Sequence, residues 1–227
     1  MCKKEGSNYN RRKRKQAYFG TEKNIREYSF GGGGPSRFDV NREKASYKLA
    51  DYVSIPSKHV EDSFRKHGYP KEKLFVNHYG VELNMFFPDT NIKKEYEVIM
   101  VGTWGLRKGC DILSKALQNS EITLLHVGKI NPELVFPADK NFVHIDSVDQ
   151  TLLNQYYNKA KILVLPSREE GLSLVLCQAM ASGLPIVCTK DTGGEDLKGI
   201  LSDDKWINVI NSTDSEELLN RIPYVLH

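Results

Sequence analysis

From about Tyr96 onward the chain alternates apolar strand patterns with helical patterns, and this alternation constrains the fold more than any other feature. Short apolar runs predict strands at 97–102, 122–127, 142–146, 161–166, 185–189 and 206–210. The segments between and after them predict helices at 109–118, 151–159, 172–182 and 214–222. Strands that alternate with helices favour parallel βαβ units. We therefore predict an α/β fold, a Rossmann-like parallel sheet with helices on both faces.

Several residues that can bind ligands follow the ends of the predicted strands. They are Lys108, Gly128, Ser147, Glu170 and Gly193. Right-handed crossovers bring the carboxyl ends of parallel strands to one edge of the sheet, where open α/β sheets bind ligands. We therefore expect these residues to converge around one site.

The loop after the fourth predicted strand combines a carboxylate with the start of a helix. Glu170 and Gly171 directly precede an apolar segment predicted to be helical from Leu172. The amide groups and dipole of a helix start, here those of 172–174, favour an anion such as a pyrophosphate. A carboxylate is no partner for that anion but suits hydroxyl groups attached to it, and a sugar fits that description. The alternative is an ordinary solvated loop at Glu169 and Glu170.

The segment Pro166–Gly194, PSREEGLSLVLCQAMASGLPIVCTKDTGG, resembles the donor-site signature of retaining, nucleotide-sugar-dependent glycosyltransferases with the GT-B fold. This is the "glycosyl transferases group 1" (family 4-like) family. The matching residues are Glu170, Gly171, Leu174, Ala179, Met180, Ala181, Gly183, Pro185 and Val187. The family has two acidic residues separated by seven, which fall here on Glu170 and on the amide Gln178. The resemblance implies that Glu170 orients the sugar, that Gln178 faces the ribose hydroxyls, and that Gly171, Leu172, Ser173 and Leu174 line the donor site.

The segment Glu97–Leu117, EVIMVGTWGLRKGCDILSKAL, resembles the phosphate-binding loop of the same family. The resemblance places Lys108 on the donor diphosphate, where it and Glu170 are the candidate catalytic residues. Thr103 stands where the family has an arginine, and Arg107 is the candidate substitute. The remaining donor-binding positions that the resemblance implies are Gly102, Gly128, Ser147 and Val148. A loop of glycines with a lysine is, by itself, about as often an ordinary turn.

Residues 36–88 resemble the end of the acceptor-side domain of this family and its crossover to the donor side. Helices are predicted at 41–49 and 57–67, the second capped by Ser57, and strands at 52–56 and 73–78. We predict three parts, a basic disordered leader at 1–35, this N-terminal remnant at 36–88, and the donor-side domain at 89–227. None of the six histidines matches the one that the family presents to the sugar, and His126 and His144, which lie in predicted strands, are interpreted as core or edge histidines.

Composition limits the partners and the location of the chain. It is 40% hydrophobic and 27% charged with a net charge of +3, which is ordinary for a globular protein and gives no reason to expect specific nucleic-acid binding. The run Arg11–Lys15 suits anionic lipid head groups or nucleic acid, or is simply a solvated charge run. Four cysteines without metal spacing predict buried free thiols, and no apolar run approaches a membrane span. A cytoplasmic protein is expected, either free or bound peripherally at the inner face of the membrane.

The resemblance implies retaining transfer of a hexose from a nucleotide sugar to a saccharide or lipid-linked acceptor, as in polysaccharide biosynthesis. No cofactor or metal is expected, and the chain has no Asp-x-Asp motif. Because most of the acceptor-side domain is missing, we expect the isolated chain to be inactive without an acceptor domain from a separate chain or a longer parent. The alternative, favoured by Gln178 and Thr103, is a non-catalytic nucleotide or nucleotide-sugar binding module, or an inactive truncated glycosyltransferase.

Overall fold

A computed structural model describes residues 36–201, 204–211 and 213–226, so the predicted leader and Cys2 lie outside the described residues. The described part begins with a small N-terminal unit. Its elements are helix α1 (Arg37–Leu49), strand β1 (Val53–Ile55), helix α2 (Lys58–Lys66) and strand β2 (Leu74–Val76). Strands β1 and β2 pair in parallel, and Ile55, Val60 and Phe64 form a separate small core.

The rest of the chain forms the larger sheet and its helices. The strands are β3 (Tyr96–Val101), β4 (Leu124–Val127), β5 (Phe142–Ile145), β6 (Ala160–Leu165), β7 (Ile186–Thr189) and β8 (Ile207–Ile210). The helices are α3 (Cys110–Leu117), α4 (Leu153–Lys159), α5 (Leu174–Ala181), α6 (Gly194–Lys198) and α7 (Ser215–Leu226). All six strands pair in parallel in the order β5-β4-β3-β6-β7-β8, which confirms the predicted Rossmann-like sheet.

The order of the strands defines where this sheet binds ligands. From β3 the chain winds outward through β4 to β5, and it then returns to the other side of β3 as β6. The direction of winding therefore reverses between β3 and β6, and the crevice at such a switch point is the usual ligand site of an open α/β sheet. The loops that follow β3 and β6 carry Lys108 and Glu170.

Each face of the sheet is covered by helices, as predicted. Along β3, Ile99 and Val101 pack into one hydrophobic cluster and Val98 and Met100 into the other, as expected for alternating side chains. Helices α4 and α5 contribute to the first cluster, and α3 and α7 to the second. Strands buried on both faces explain the near-continuous apolar runs in the sequence.

Several element boundaries differ from the predictions; helix α1, for example, begins at Arg37 rather than at 41. Helix α5 begins at Leu174 rather than at 172, because Ser173 has an extended backbone whose amide donates to the carbonyl of Thr192 (3.1 Å). Helix α7 continues through Pro223 to Leu226 rather than ending at 222. The short helix α6 (Gly194–Lys198) was not predicted.

Candidate functional site

The loops after β3 and β6 interlock at the switch point. The first loop ends in a single 3-10 turn, Leu106–Lys108, and Gly109 follows with a left-handed backbone (φ 74°). A Cβ atom on Gly109 would lie 2.1 Å from the carbonyl oxygen of Pro166, so only glycine permits this approach. The amide of Arg168 also donates to the carbonyl of Arg107 (2.9 Å). The backbone of one loop therefore positions the other.

At this junction one carboxylate gathers the basic side chains of the site. Glu170 Oε1 lies 2.5 Å from Lys108 Nζ and 3.2 Å from Arg107 Nη1. The side chains of Lys108 and Glu170 are each 12% exposed, whereas that of Arg107 is 45% exposed. Ser167 Oγ donates to the same carboxylate oxygen at 3.3 Å. The sequence placed Lys108 and Glu170 in one site, and the structure joins them as an ion pair.

A second pair of charges ties the β6 loop to helix α3. Arg168 makes a bidentate contact with Asp111, with both nitrogen–oxygen distances at 2.7 Å. Such planar fork geometry gives stronger and more directional contacts than a single hydrogen bond. Sequence reasoning did not single out Arg168, because its partner lies 57 residues away.

The loop after β7 supports the β6 loop from behind. Glu170 N donates to the carbonyl of Asp191 (2.8 Å), and Thr189 Oγ1 donates to the carbonyl of Ser167. Because the Ser173 amide donates to Thr192, the expectation that all the amides of 172–174 face an anion was wrong for Ser173. Burial raises the pKa of the neighbouring Glu169, although the charge of Arg107 acts in the opposite direction.

The glycines after β3 and β4 bring these strand ends into contact. Gly128 has a φ of 147°, and a Cβ atom there would lie 2.1 Å from the carbonyl oxygen of Gly102. That same carbonyl accepts a hydrogen bond from His126 Nε2 (2.8 Å). His126 is fully buried, and its Nδ1 lies 2.9 Å from Nδ1 of the half-buried His144 on the edge strand β5, in agreement with the interpretation of the two as core or edge histidines. Burial lowers the pKa of His126 to about 4.

A cavity of about 360 Å³ opens beside the Lys108–Glu170 pair. One wall consists of Lys108 and the segment 170–175, which includes the predicted residues Gly171, Leu172, Ser173 and Leu174. The opposite wall comes from the N-terminal unit, chiefly 53–56, Tyr47 and Tyr79. The cavity therefore lies between the N-terminal unit and the edge of the larger sheet.

The other predicted site residues lie outside the wall of this cavity. Thr103 is exposed on the β3 loop, and Ser147 and Val148 follow β5, which is the edge strand of the sheet. Gln178 is buried, and its Oε1 accepts a hydrogen bond from the hydroxyl of Tyr157 (3.0 Å). This bond occupies one of the two lone pairs of Oε1, so both the carbonyl oxygen and the amide group of Gln178 keep some hydrogen-bonding capacity.

Sequence reasoning missed two residues that contact the β6 loop from the N-terminal unit. Ser57 Oγ donates to the carbonyl of Gly171 at 2.6 Å, and His59 Nε2 lies 2.6 Å from the carbonyl oxygen of Glu170. Ser57 occupies the N-cap position of α2, but its hydroxyl makes no capping hydrogen bond, so the predicted cap was wrong. The only signal in the sequence was that these two residues come directly after the predicted strand 52–56, which the structure shows as β1.

Three of the four cysteines, all predicted to be buried free thiols, lie within the described residues. Cys110, Cys177 and Cys188 are free and buried. Across 36–201, 204–211 and 213–226, no group of three or more histidine, cysteine or acidic side chains is arranged to hold a metal ion. No helix in these ranges has the length and apolar character needed to cross a bilayer.

Comparison with known proteins gives relatives of the same kind. The family model described as "Glycosyl transferases group 1" matches residues 95–227. Sulfoquinovosyl transferase SQD2 from Arabidopsis thaliana is 30% identical over 138 residues, which are 57% of this chain and 26% of that protein. A D-inositol 3-phosphate glycosyltransferase from Xylanimonas cellulosilytica is 26% identical over 199 residues, 70% of this chain and 47% of that protein.

Solved structures share the fold. Sucrose-phosphate synthase from Thermosynechococcus elongatus aligns with a TM-score of 0.70 and 22% identity, over 84% of this chain and 53% of that one. Anabaena HepE, solved in complex with UDP and glucose, aligns with a TM-score of 0.67 and 18% identity, over 85% of this chain and 58% of that one. The chain thus spans about half, or less, of the length of these proteins.

Proposed function

Because this chain belongs to the glycosyl transferases group 1 family, we propose that it is the donor-binding part of a retaining glycosyltransferase that uses a nucleotide sugar. The observation that carries the proposal is the largely solvent-shielded Lys108–Glu170 ion pair, with each side chain 12% exposed, beside a cavity at the switch point of the sheet. Lys108 lines this cavity and Arg107 lies beside it on the same loop, and such cationic side chains suit the oxygens of a diphosphate.

The arrangement supplies both parts of the proposed chemistry. Breaking the bond between the anomeric carbon and the phosphate develops negative charge on the diphosphate, and fixed cations stabilise it most where water is scarce. The ammonium group of Lys108 has three donors, so it can contact a phosphate oxygen while it keeps its bond to Glu170. The carboxylate of Glu170 is then oriented to accept hydrogen bonds from sugar hydroxyls.

Two features guide the choice of ligands and location. The HepE structures were solved with UDP and with UDP-glucose, so uridine nucleotides are the first donors to test. In the proposed enzyme, residues 36–88 form the end of an acceptor-side domain, and the saccharide or lipid-linked acceptor binds across the cavity from the donor. The buried free thiols suit a reducing compartment, which supports a cytoplasmic location, peripheral to the membrane where the acceptor is a lipid.

A second function is a binding module without catalysis. It is favoured by Gln178, which replaces the second acidic residue of the family and whose carbonyl oxygen is engaged by Tyr157. Such a module would bind the nucleotide sugar through Lys108 and Glu170 but would transfer nothing, even with an acceptor domain present.

Calorimetric titration with UDP and UDP-glucose tests the proposed donor site. Lys108→Ala should weaken both ligands by about ten- to one-hundredfold, since a charged hydrogen bond contributes roughly 1.5–3 kcal/mol. Glu170→Gln should weaken UDP-glucose relative to UDP, because its proposed partner is the hexose. Lys115→Ala, on the neighbouring helix α3, is the matched control and should leave both affinities unchanged.

Two results would contradict the proposal. The first is that the unaltered chain binds no common nucleoside diphosphate or nucleotide sugar at millimolar concentration. The second is that Glu170→Gln loses affinity equally for UDP and for UDP-glucose, which would leave the hexose without the assigned contact.

A further inference from the structure

We infer that Ser57 and His59 of the N-terminal unit are positioning residues for Glu170, and that they act while the imidazole ring of His59 carries both protons. The inference rests on the proposed donor site and adds a dependence of donor binding on pH. It assigns to the N-terminal unit a direct role in holding the β6 loop, residues 166–173, which we call the donor loop.

Three consecutive residues attach the N-terminal unit to the larger domain. Ser57 and His59 contact the carbonyls of Gly171 and Glu170, each at 2.6 Å. Between them, the amide of Lys58 donates to Oδ1 of Asp196 on α6, also at 2.6 Å. Ser57 is fully buried at this contact. Two successive peptide groups of the donor loop are thus held from the opposite wall of the cavity.

The hydrogen bonds determine where the protons lie. A carbonyl oxygen only accepts, so the single hydroxyl proton of Ser57 goes to Gly171 and Nε2 of His59 donates to Glu170. Ser57 Oγ also lies 3.1 Å from Nδ1 of His59 and has no further proton to give. Nδ1 must therefore donate to Oγ. A histidine that donates through both ring nitrogens is an imidazolium cation.

The surrounding charges are consistent with a cation at His59. The carboxylate of Glu169 interacts electrostatically with His59, as it does with Arg107, Glu170 and Asp191. Helix α6 contributes Asp196. On α2 itself, Lys58 is paired with Glu61 and Asp62, at 3.0 and 3.1 Å. The acidic side chains near this contact thus include Glu169 of the β6 loop, which interacts with His59, and Asp196 of α6, which binds the amide of the neighbouring Lys58.

Loss of one ring proton removes one of these hydrogen bonds. Either the carbonyl of Glu170 or the hydroxyl of Ser57 then lacks its donor, and the loop that carries Glu170 is held less firmly against Lys108. Affinity for a nucleotide sugar should therefore be higher while His59 donates through both ring nitrogens, and lower once one of these two donors is lost.

Titration with UDP-glucose at pH 6.0 and pH 8.5 tests this, since its diphosphate is diesterified and keeps its charge over this range. The unaltered chain should lose about tenfold in affinity between the two pH values, the effect of about one charged hydrogen bond. His59→Ala should bind weakly at both. His59→Gln, whose amide can still donate to Glu170, should retain binding without the pH dependence. His67→Ala is the matched control, an exposed histidine at the far end of α2.

Amide hydrogen exchange of residues 168–173, corrected for the intrinsic effect of pH, gives a readout that needs no ligand. It should be faster in His59→Ala than in the unaltered chain and normal in His67→Ala. Equal exchange and equal pH dependence in the unaltered chain and His59→Ala would overturn the inference. A third outcome separates the two proposals. If residues 168–173 exchange more slowly in the unaltered chain than in His59→Ala, but the unaltered chain binds no nucleotide sugar, the positioning role is supported and the proposed function is not.

Discussion

A single atom, Oε1 of Glu170, accepts contacts from three side chains on two loops. Lys108 and Arg107 approach it from the β3 loop, and Ser167 from its own loop. Since each of these side chains is placed by its own backbone, the position of the carboxylate depends on both loops at once. A substitution in either loop is therefore expected to shift the carboxylate of Glu170 and the side chains that contact it.

His126 is a residue whose burial makes a measurable prediction about stability. Its imidazole packs between Trp104, Phe136 and His144, with ring centroids 5.0–5.6 Å away. Burial lowers its pKa from 6.5 to about 4, so between these values the unfolded chain binds more protons than the folded one. The free energy of unfolding should rise with pH from about 4 to 6.5, by up to about 3 kcal/mol from this group, and not change further above.

Urea denaturation at several pH values, for the unaltered chain and for His126→Gln, checks this prediction. The substitution should flatten the slope between pH 4.5 and 6.5, even though it lowers stability at neutral pH by removing packed contacts. An unchanged slope would mean that carboxylates, not His126, govern the loss of stability in acid.

At the scale of elements, the interlocked loops after β3 and β6 depend on Gly109. Alanine there would need a left-handed backbone and would place its Cβ 2.1 Å from a carbonyl oxygen of the other loop. We expect Gly109→Ala to lower the free energy of unfolding by about 2–4 kcal/mol, since strain and displacement add. It should also weaken nucleotide binding, because it moves Lys108.

Gly199→Ala is the matched control for this substitution. Gly199 caps α6 with an ordinary helical backbone (φ −64°), and an added Cβ would lie 3.5 Å from its nearest neighbour. Its effect on the free energy of unfolding should stay within about 1 kcal/mol. Chemical denaturation of both variants, followed by UDP titration, compares them. If Gly109→Ala also lowered the free energy of unfolding by no more than about 1 kcal/mol, the loop junction would tolerate a Cβ atom and the prediction would be wrong.

Helix α7 shows how packing can extend an element beyond its local signals. Pro223 removes a backbone donor, and the sequence therefore predicted an end at 222. Leu218 and Ile222 are fully buried against the sheet, and Val225 and Leu226 pack against the same cluster. Burial of these apolar side chains stabilises the last turn more than the missing hydrogen bond disfavours it.

At the scale of the whole molecule, the donor site predicts stabilisation by ligand. A nucleoside diphosphate that binds the folded chain at 100 times its dissociation constant should add about 2.7 kcal/mol to the free energy of unfolding. UDP should therefore raise the melting temperature of the unaltered chain and raise it less for Lys108→Ala. An equal shift in both would place the nucleotide elsewhere on the molecule.

The small size of the N-terminal unit bears on whether this chain can transfer a sugar by itself. Transfer needs the acceptor hydroxyl held close to the anomeric carbon, away from water. Residues 36–88 contribute one wall to a cavity of about 360 Å³, but this unit has only a two-stranded sheet and a small core. We therefore expect at most slow hydrolysis of the nucleotide sugar by the 227-residue chain. Robust glycoside formation in product analysis with labelled donors and saccharide or lipid acceptors would refute this.

The sequence by itself determined the order and type of the elements in the larger domain. Apolar runs and helical periods are local, so each of the six strands was predicted within a residue or two of its observed bounds. Because a parallel sheet brings its strand ends to one edge, the pairing of the two loops that carry Lys108 and Glu170 could also be predicted. The resemblance to a known family then placed the donor site on those loops.

Only the tertiary structure decided which groups meet within that site. The contacts of Ser57 and His59 with the donor loop span 114 and 111 residues, and those of Arg168 with Asp111 span 57. Likewise, the amide of Ser173 donates to the carbonyl of Thr192, and Oε1 of Gln178 accepts from the hydroxyl of Tyr157. Whether a donor on one loop reaches an acceptor on another depends on differences of a few tenths of an ångström in their separation. No local pattern of residue types encodes such differences.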